Sequence, residues 1–423
     1  MKFEILTEKE FERFSKTHPC ANFFQTVENA YLRHFYGSEI HYLGVKEENK
    51  IIAAGMFTIN PCMFGKKRFY SPQGLLVDYH NFELLKFFTD NLITYAKKHN
   101  AMFIKFEPNI IYQLRDTNGN IYPDLVKDDE TINNLKKLGY HHFGFTNDYR
   151  FTQSRWNYRL ELNKEYEELK KGFSKSTRKN IDSVYEKGLV LRRGGKNDLE
   201  TLTELLKATA DRKNFNSRDL TYYERMYDCY KDNMQIYFAH VDSNLYLDYA
   251  NKQLTKEQNK KEEIMYKMKK DMVGAKLKNQ LLNVEVSINR AKEELEYAKK
   301  FQEENPNGKD IGALLSLKSG NEYVTLSSGI LAKYKNFKPK YLMYNEHILD
   351  AYKFGFKYVN FYGISGDFTP KSPIYGVYEF KRGFNGQVVE LVGEFTYKIS
   401  NTYYIYNLLR KLKIVYRKIT KKW

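Results

Sequence analysis

The residues of this chain best suited to chemistry are Tyr358-Val-Asn-Phe-Tyr-Gly-Ile-Ser-Gly-Asp-Phe368 and the following Tyr378-Glu-Phe-Lys-Arg-Gly-Phe384. Gly363 and Gly366 allow a tight turn beside a ligand. Lys381, flanked by Phe380 and Phe384, sets a compact cation against an apolar wall, where it can stabilise developing negative charge. The local pattern reads as a strand, a glycine-rich turn and a second strand-like run. On composition alone, Lys381 is an ordinary surface lysine of that second run.

Two basic groups suit polyanions. Lys170, Lys171, Lys175, Arg178 and Lys179 stand at the opening of a helical stretch and could hold RNA phosphates without reading bases; a solvated helix face reads equally well. Asn407 to Trp423 carries Arg410, Lys411, Lys413, Arg417, Lys418, Lys421 and Lys422 and no acid, interleaved with Leu408, Leu409, Leu412, Val415 and Ile419. That is the pattern of a basic amphipathic helix, open to RNA or to an anionic membrane, with the apolar stripe favouring the membrane. Overall, 69 Lys and Arg against 52 Asp and Glu give a formal charge of +17, in keeping with polyanionic partners.

Other chemistries lack their signatures. There is no GxSxG, P-loop or HExxH, and no [QR]xxGx[GA] loop to cradle the pyrophosphate of acetyl-CoA, which counts against ordinary acetyl transfer. The cysteines, Cys20, Cys62 and Cys229, lie far apart without CxxC or Cys/His spacing, so no disulfide framework, metal site or cofactor is expected. A mixed-polarity N-terminus and the lack of any 18-residue apolar window point to a cytoplasmic protein.

The elements that must position these residues follow from periodicity. Short apolar strands (His41 to Val45, Lys50 to Ile59, Ala101 to Glu107) alternate with helical stretches such as Phe82 to His99, giving a first α/β unit over 1–154. A second unit repeats the layout, with Trp156 to Leu162, Leu189 to Arg193 and Met234 to His240 as strands and Glu165 to Glu186 as helix. It spans 155–245 and 307–400 and is split by a Lys- and Glu-rich insert over 246–306. There Leu281, Val284, Ile288, Ala291, Leu295 and Ala298 step as a heptad seam, and Met265, Met268 and Met272 repeat the step before Gly274. An antiparallel coiled-coil hairpin is expected; Gln258 and Lys261 interrupt the first seam and leave a fraying or single helix as the alternative. The tail occupies 401–423.

The chain resembles the Fem/MurM family of peptidyltransferases, which build peptidoglycan cross-bridges with aminoacyl-tRNA as donor. The blocks that carry the resemblance are Phe24-Gln25, Ser71-Pro-Gln-Gly74, Ile104-Lys-Phe-Glu-Pro108, Gly144-Phe-Thr with Gln153-Ser-Arg155, Ser176-Thr-Arg-Lys-Asn-Ile181, Arg212 to Tyr223, and Tyr358 to Phe384, in order along nearly the whole chain. The resemblance implies two acetyltransferase-like subdomains with a helical arm in the second, an α/β fold. It implies aminoacyl-tRNA and a peptidoglycan precursor as partners. The arm favours lipid II over soluble UDP-MurNAc-pentapeptide, by analogy with armed members.

Residue by residue, the resemblance places Lys381 as the catalytic charge stabiliser beside Phe380. It places Arg33, eight positions after Gln25, with Glu107, Arg218 and Tyr222, as substrate contacts, an Arg fork being suited to phosphate. Lys175, Arg178 and Lys179 are the expected tRNA contacts. Thr325 and Ser327 stand where some members carry two tyrosines, which puts precursor contacts there in question. The proton acceptor stays open among Glu107, Asp367 and a group on the substrate. Three rival readings also remain: an acyl-CoA-dependent N-acyltransferase, a non-enzymatic RNA- or membrane-binding coiled-coil protein, and a family member acting on another amine.

Overall fold

A computed structural model describes residues 1–147, 153–270 and 274–420. It is α/β, with helices around two mixed sheets. Among the described residues the first sheet has seven strands in the order Lys2–Ile5, Glu39–Glu47, Lys50–Pro61, Lys67–Ser71, Ala101–Phe106, Phe395–Lys398 and His141–His142. The second has eight: Ile111–Arg115, Gln387–Leu391, Trp156–Glu161, Tyr358–Gly363, Glu322–Ile330, Lys309–Ser319, Met234–Val241 and Leu189–Gly194.

Each sheet contains a strand from the other part of the chain. Ile111–Arg115 pairs with Gln387–Leu391 in the second sheet, and Phe395–Lys398 lies between Ala101–Phe106 and His141–His142 in the first. A boundary at 154 therefore separates strands that share a sheet. The exchange ties the two units through backbone ladders, which keeps residues between them in fixed apposition.

Each sheet buries its own aromatic core. Phe57, Phe69, Phe88 and Phe106 fill the first; Tyr158, Tyr237, Tyr323 and Phe361 fill the second. Helix starts are set by side-chain caps: Thr26, Asn81, Asp128, Ser174 and Asp219 each accept a backbone N–H of the following turn. The cap at Ser174 also breaks the single helix expected over Glu165 to Glu186 into Tyr166–Gly172 and Lys175–Glu186.

The second strand-like run around Lys381 is instead the helix Tyr375–Arg382. Tyr378, Lys381 and Phe384 are all buried, and a three-residue spacing of inward positions fits one helix face, whereas a strand would alternate.

The insert is an antiparallel pair of helices, Ser243–Lys270 and Ala275–Glu304. Asn244 meets Gln302 at 2.7 Å, Tyr246 meets Glu294 at 2.8 Å and Lys261 meets Glu285 at 2.8 Å, in opposite chain directions. Ile288, Ala291, Leu295 and Ala298 are buried in the seam as expected. Met265 is not: it is 45% exposed, and half-buried Ile264 takes its place, while Met268 is half-buried as the seam requires. Lys261 takes an apolar position through its ion pair with Glu285. Met272 lies outside the described residues.

Residues 403–420 form the helix Tyr403–Thr420. Tyr403 and Tyr406 pack on Phe103 at 5.2 and 5.1 Å, and Arg410 pairs with Glu394 at 3.3 Å. Tyr404, Ile405, Leu408, Leu409, Leu412, Val415 and Tyr416 are exposed on the other side. Lys421 and Lys422 lie outside the described residues, as do the side chains of Arg417, Lys418 and Ile419.

Candidate functional site

The second sheet opens at one place. Glu322–Ile330 and Tyr358–Gly363 run parallel and pair only from Glu322 opposite Tyr358 to Val324 opposite Asn360. Beyond that, the first stays with Lys309–Ser319 as far as Ile330, and the second stays with Trp156–Glu161 as far as Gly363. The two strands diverge, and backbone groups on the facing edges need other partners.

Lys381 lies at this gap. Its Nζ donates to the carbonyl of Tyr362 at 3.1 Å and to that of Gly363 at 2.8 Å, and the residue is 6% exposed. Phe384 packs on Phe361 at 5.5 Å, and Phe380 stands edge-on to Tyr344 at 4.8 Å, so the helix is anchored on both sides of the lysine. Phe380, expected to touch substrate, is thus a half-buried wall of this pocket. Burial first, then the charge of Lys340, push the Lys381 ammonium down to about 7. An ammonium has three N–H donors and two are used, so one is left for an oxygen that gains charge. On the opposite edge Thr325, 3% exposed, and Ser327 have buried hydroxyls without a hydrogen-bond partner.

Tyr362 joins this gap to a second cleft. Its main-chain carbonyl holds Lys381, while its hydroxyl donates to Gln153 at 3.2 Å and its ring lies 6.0 Å from Phe23 of the first unit. Its φ is 62°, a left-handed conformation that costs a non-glycine residue free energy and that recurs at functional sites. Burial, then the charge of Glu107, raise the phenol, which stays a proton donor; Arg33 opposes this and Tyr222 adds to it. Glu107, Arg33 and Tyr222 therefore all bear on one phenol. Sequence reasoning quoted Tyr362 within the motif but gave it no role, because a positive φ at a tyrosine leaves no trace in residue type.

Glu107 is 6% exposed and accepts from the Tyr70 hydroxyl at 3.0 Å. Lys105 lies between Glu107 at 3.1 Å and Glu394 at 2.7 Å. Desolvation raises the Glu107 carboxyl, Lys105 opposes this, and Glu394 adds to the rise. The carboxyl borders a cavity of about 410 Å³ that Gln73, Gln153, Glu394, Asn407 and Arg410 also line. Arg155, buried beneath it, pairs with Glu390 and stacks on Phe145 at 4.3 Å, and Arg115 holds the same Glu390 at 2.9 Å.

Arg33 is in the last turn of Val27–Phe35, which packs on Leu220–Tyr230. Arg218, exposed just before the cap Asp219, lays its guanidinium 4.8 Å above the Tyr222 ring, and Tyr222 lies 5.8 Å from Tyr36. Arg33 and Tyr222 thus act with Glu107 on the Tyr362 phenol, and Arg218 joins them through Tyr222.

Lys175 and Lys179 are exposed on Lys175–Glu186, and Arg178 donates to the Lys171 carbonyl. Ser174 N–H donates to the Gly383 carbonyl at 2.9 Å, so this helix begins against the turn that follows Lys381. Asp367 is a turn residue: its carboxylate accepts from the N–H and hydroxyl of Thr369 at 3.0 and 2.7 Å and is held below the usual range. Among the described residues no three His, Cys, Asp or Glu side chains are placed to hold a metal, and no helix is long and apolar enough to cross a membrane.

Comparison with known proteins matches the FemAB family over residues 6–411. Aminoacyltransferase FemB of Staphylococcus epidermidis is 32% identical, over 98% of this chain and 99% of its own length. Aminoacyltransferase FemA of the same species is 31% identical, over 98% of this chain and 100% of its own length. A solved structure of FemX shares the fold, with a TM-score of 0.76 and 22% identity over 97% of this chain and 100% of that one. The chain belongs to the FemAB family and is an aminoacyltransferase.

Proposed function

We propose that the chain transfers an amino acid from aminoacyl-tRNA to the side-chain amine of the third stem-peptide residue of a peptidoglycan precursor, building the interpeptide bridge. The observation that carries this reading is the junction at Tyr362 and Gly363. There the gap holding Lys381 meets the cleft of Glu107, Arg33 and Tyr222 through a single residue. A donor ester can approach from one side and an acceptor amine from the other.

The chemistry needs little beyond position and charge, because the ester is already activated. The acceptor ammonium loses a proton to Glu107, whose carboxyl is made a stronger base by burial. The amine nitrogen attacks the ester carbonyl, and the free N–H of Lys381 donates to the resulting oxyanion. The carbon–oxygen bond to the ribose then breaks, an amide is left, and the departing 3′-oxygen is protonated as deacylated tRNA leaves. Arg33 and Arg218 hold phosphate beside Tyr222, and Lys175, Arg178 and Lys179 steer the tRNA.

The helix Tyr403–Thr420 supports a peripheral site at an anionic membrane. Its inner side packs on Phe103 and Glu394, and the opposite arc is apolar from Tyr404 through Leu408 and Leu412 to Val415, with Lys411 and Lys413 at its borders. A lipid-linked precursor would be met there, since Asn407 and Arg410 of this helix border the Glu107 cavity.

The reading is tested by incubating the purified chain with tRNA charged with glycine, alanine or serine and with lipid II or its soluble nucleotide-linked counterpart. Mass analysis of the acceptor should show one added residue on the stem-peptide amine. Transfer from an acyl-CoA and none from charged tRNA would overturn it.

A further inference from the structure

Among the described residues, the charges that act on Lys381 and on its neighbour Lys340 are cations. Lys340 follows Pro339 in the first turn of Pro339–Lys353, and Arg212 and Lys213 close Leu199–Lys213. The half-buried Lys340 lays its Nζ 5.5 Å above the Phe380 ring. Burial first, then the positive charges of Arg212 and Lys213, push its ammonium down to about 8. Among the described residues, Lys340 in turn is the charge that acts on Lys381.

Elsewhere in the fold enclosed cations are paired. Lys105 has Glu107 and Glu394, Arg155 has Glu390, and Arg159 has Glu322. A desolvated cation without a counter-charge is costly, and an arriving anion removes that cost. The main chain points the same way. Lys338 is left-handed at φ 56° and gives Pro339–Lys353 no side-chain cap, so the positive end of this 15-residue helix faces the same space. Lys338 Nζ donates to Asn180 Oδ1 at 2.7 Å, which joins the group to the helix of Lys175, Arg178 and Lys179.

We infer that Lys340, with Arg212 and Lys213, forms a phosphate subsite for the single-stranded 3′ end of the donor RNA and holds its backbone so that the ester reaches Lys381. The inference rests on aminoacyl-tRNA being the donor. A phosphate of coenzyme A would share this chemistry, so the test includes it.

The full chain is titrated, by fluorescence anisotropy over a range of salt, with an RNA hairpin of acceptor-stem length that carries a short 3′ overhang, and with the same hairpin blunt. Wild type should prefer the overhang. Lys340→Met should weaken the overhang hairpin about tenfold and lower the salt slope by about 0.7, with the blunt hairpin unchanged. Lys340→Arg should recover most of the loss, and the paired change Arg212→Ala and Lys213→Ala should reproduce it if Lys340→Met folds poorly. The subsite is overturned if Lys340→Met binds the overhang hairpin as wild type does. Equal loss on both hairpins, or loss of coenzyme A binding in place of RNA binding, also overturns it. Absence of any overhang preference in wild type would sink the donor reading itself, which is a separate outcome.

Discussion

Replacing Lys381 by Met separates the chemical task of this residue from its structural cost. Lys381 titrates at about 7 in the folded chain against 10.5 for an ordinary lysine. The unfolded chain therefore binds more protons than the folded one between those values, and stability gained from this group rises with pH across that window. At pH 7 the folded chain carries a penalty of roughly 4 kcal/mol for this lysine, from about three units at 1.36 kcal/mol each. Met removes the penalty but strips the carbonyls of Tyr362 and Gly363 of their donor, at about 1–3 kcal/mol each where water does not replace it. The two effects nearly offset, so thermal unfolding at pH 7 should shift by only a few degrees, in either direction, and destabilisation should grow as pH rises toward 10.5.

Turnover should respond quite differently. A lost charged donor at an oxyanion costs about 10²–10³ in kcat. Because the ammonium is the form that donates, wild-type kcat/KM should fall above about pH 7, and a bound donor phosphate near Lys340 should move the limb of kcat to higher pH. Single-turnover transfer from charged tRNA, measured from pH 6 to 9, reads both limbs. Wild-type-like turnover in a folded Lys381→Met would refute the oxyanion role, and an alkaline limb that survives in the variant would show that another group sets it.

Glu107→Gln should lower kcat by about 10²–10⁴ and remove the acid limb, which in wild type lies above the usual carboxylate range because burial raises this carboxyl; an unchanged acid limb assigns the proton to another group. Tyr362→Phe removes the bond to Gln153 but keeps the carbonyl that holds Lys381, so it should destabilise by about 1 kcal/mol and raise KM for the acceptor, with the alkaline limb in place. The double change Leu408→Glu and Leu412→Glu should abolish co-sedimentation with vesicles containing anionic phosphatidylglycerol, with transfer to a soluble acceptor altered less than twofold; retained vesicle binding would place the contact elsewhere.

Much of this site was legible because short-range chemistry leaves short-range marks. The Phe380-Lys381 pair and the heptad from Ile288 to Ala298 can each be read within a few residues. The helix around Lys381 was misread as a strand because Gly376 and Gly383 frame so short an element that its three-residue period shows only in Tyr378, Lys381 and Phe384. Met265 was placed in the seam because Ile264 beside it is equally apolar, and only packing chooses between adjacent residues. The surroundings of Glu107 were out of reach: Glu394, which shares Lys105 with it, arrives beside the exchanged strand Phe395–Lys398, and Arg410, which pairs with Glu394, through the last helix.

That exchange also explains how a cleft between two units can position reactants at all. A linker would let the units rock, whereas here Gln387–Leu391 is laddered on one side to Ile111–Arg115 and on the other to Trp156–Glu161, and Phe395–Lys398 follows directly into the first sheet. Arg115 and Arg155, from either side of the unit boundary, both close on Glu390 of this strand. The Glu107 cavity is therefore walled by side chains from both units whose backbones are hydrogen-bonded to each other, and Tyr362 can hold a strained φ because Phe361 and Gly363 beside it are buried and Gly363 is paired with Asn157. Rigidity of this kind suits a reaction that asks mainly for two substrates to meet at fixed distance. The free-energy cost is concentrated in Lys381 and Lys340, whose charged neighbours among the described residues are cations, and it falls when a substrate anion supplies the missing counter-charge.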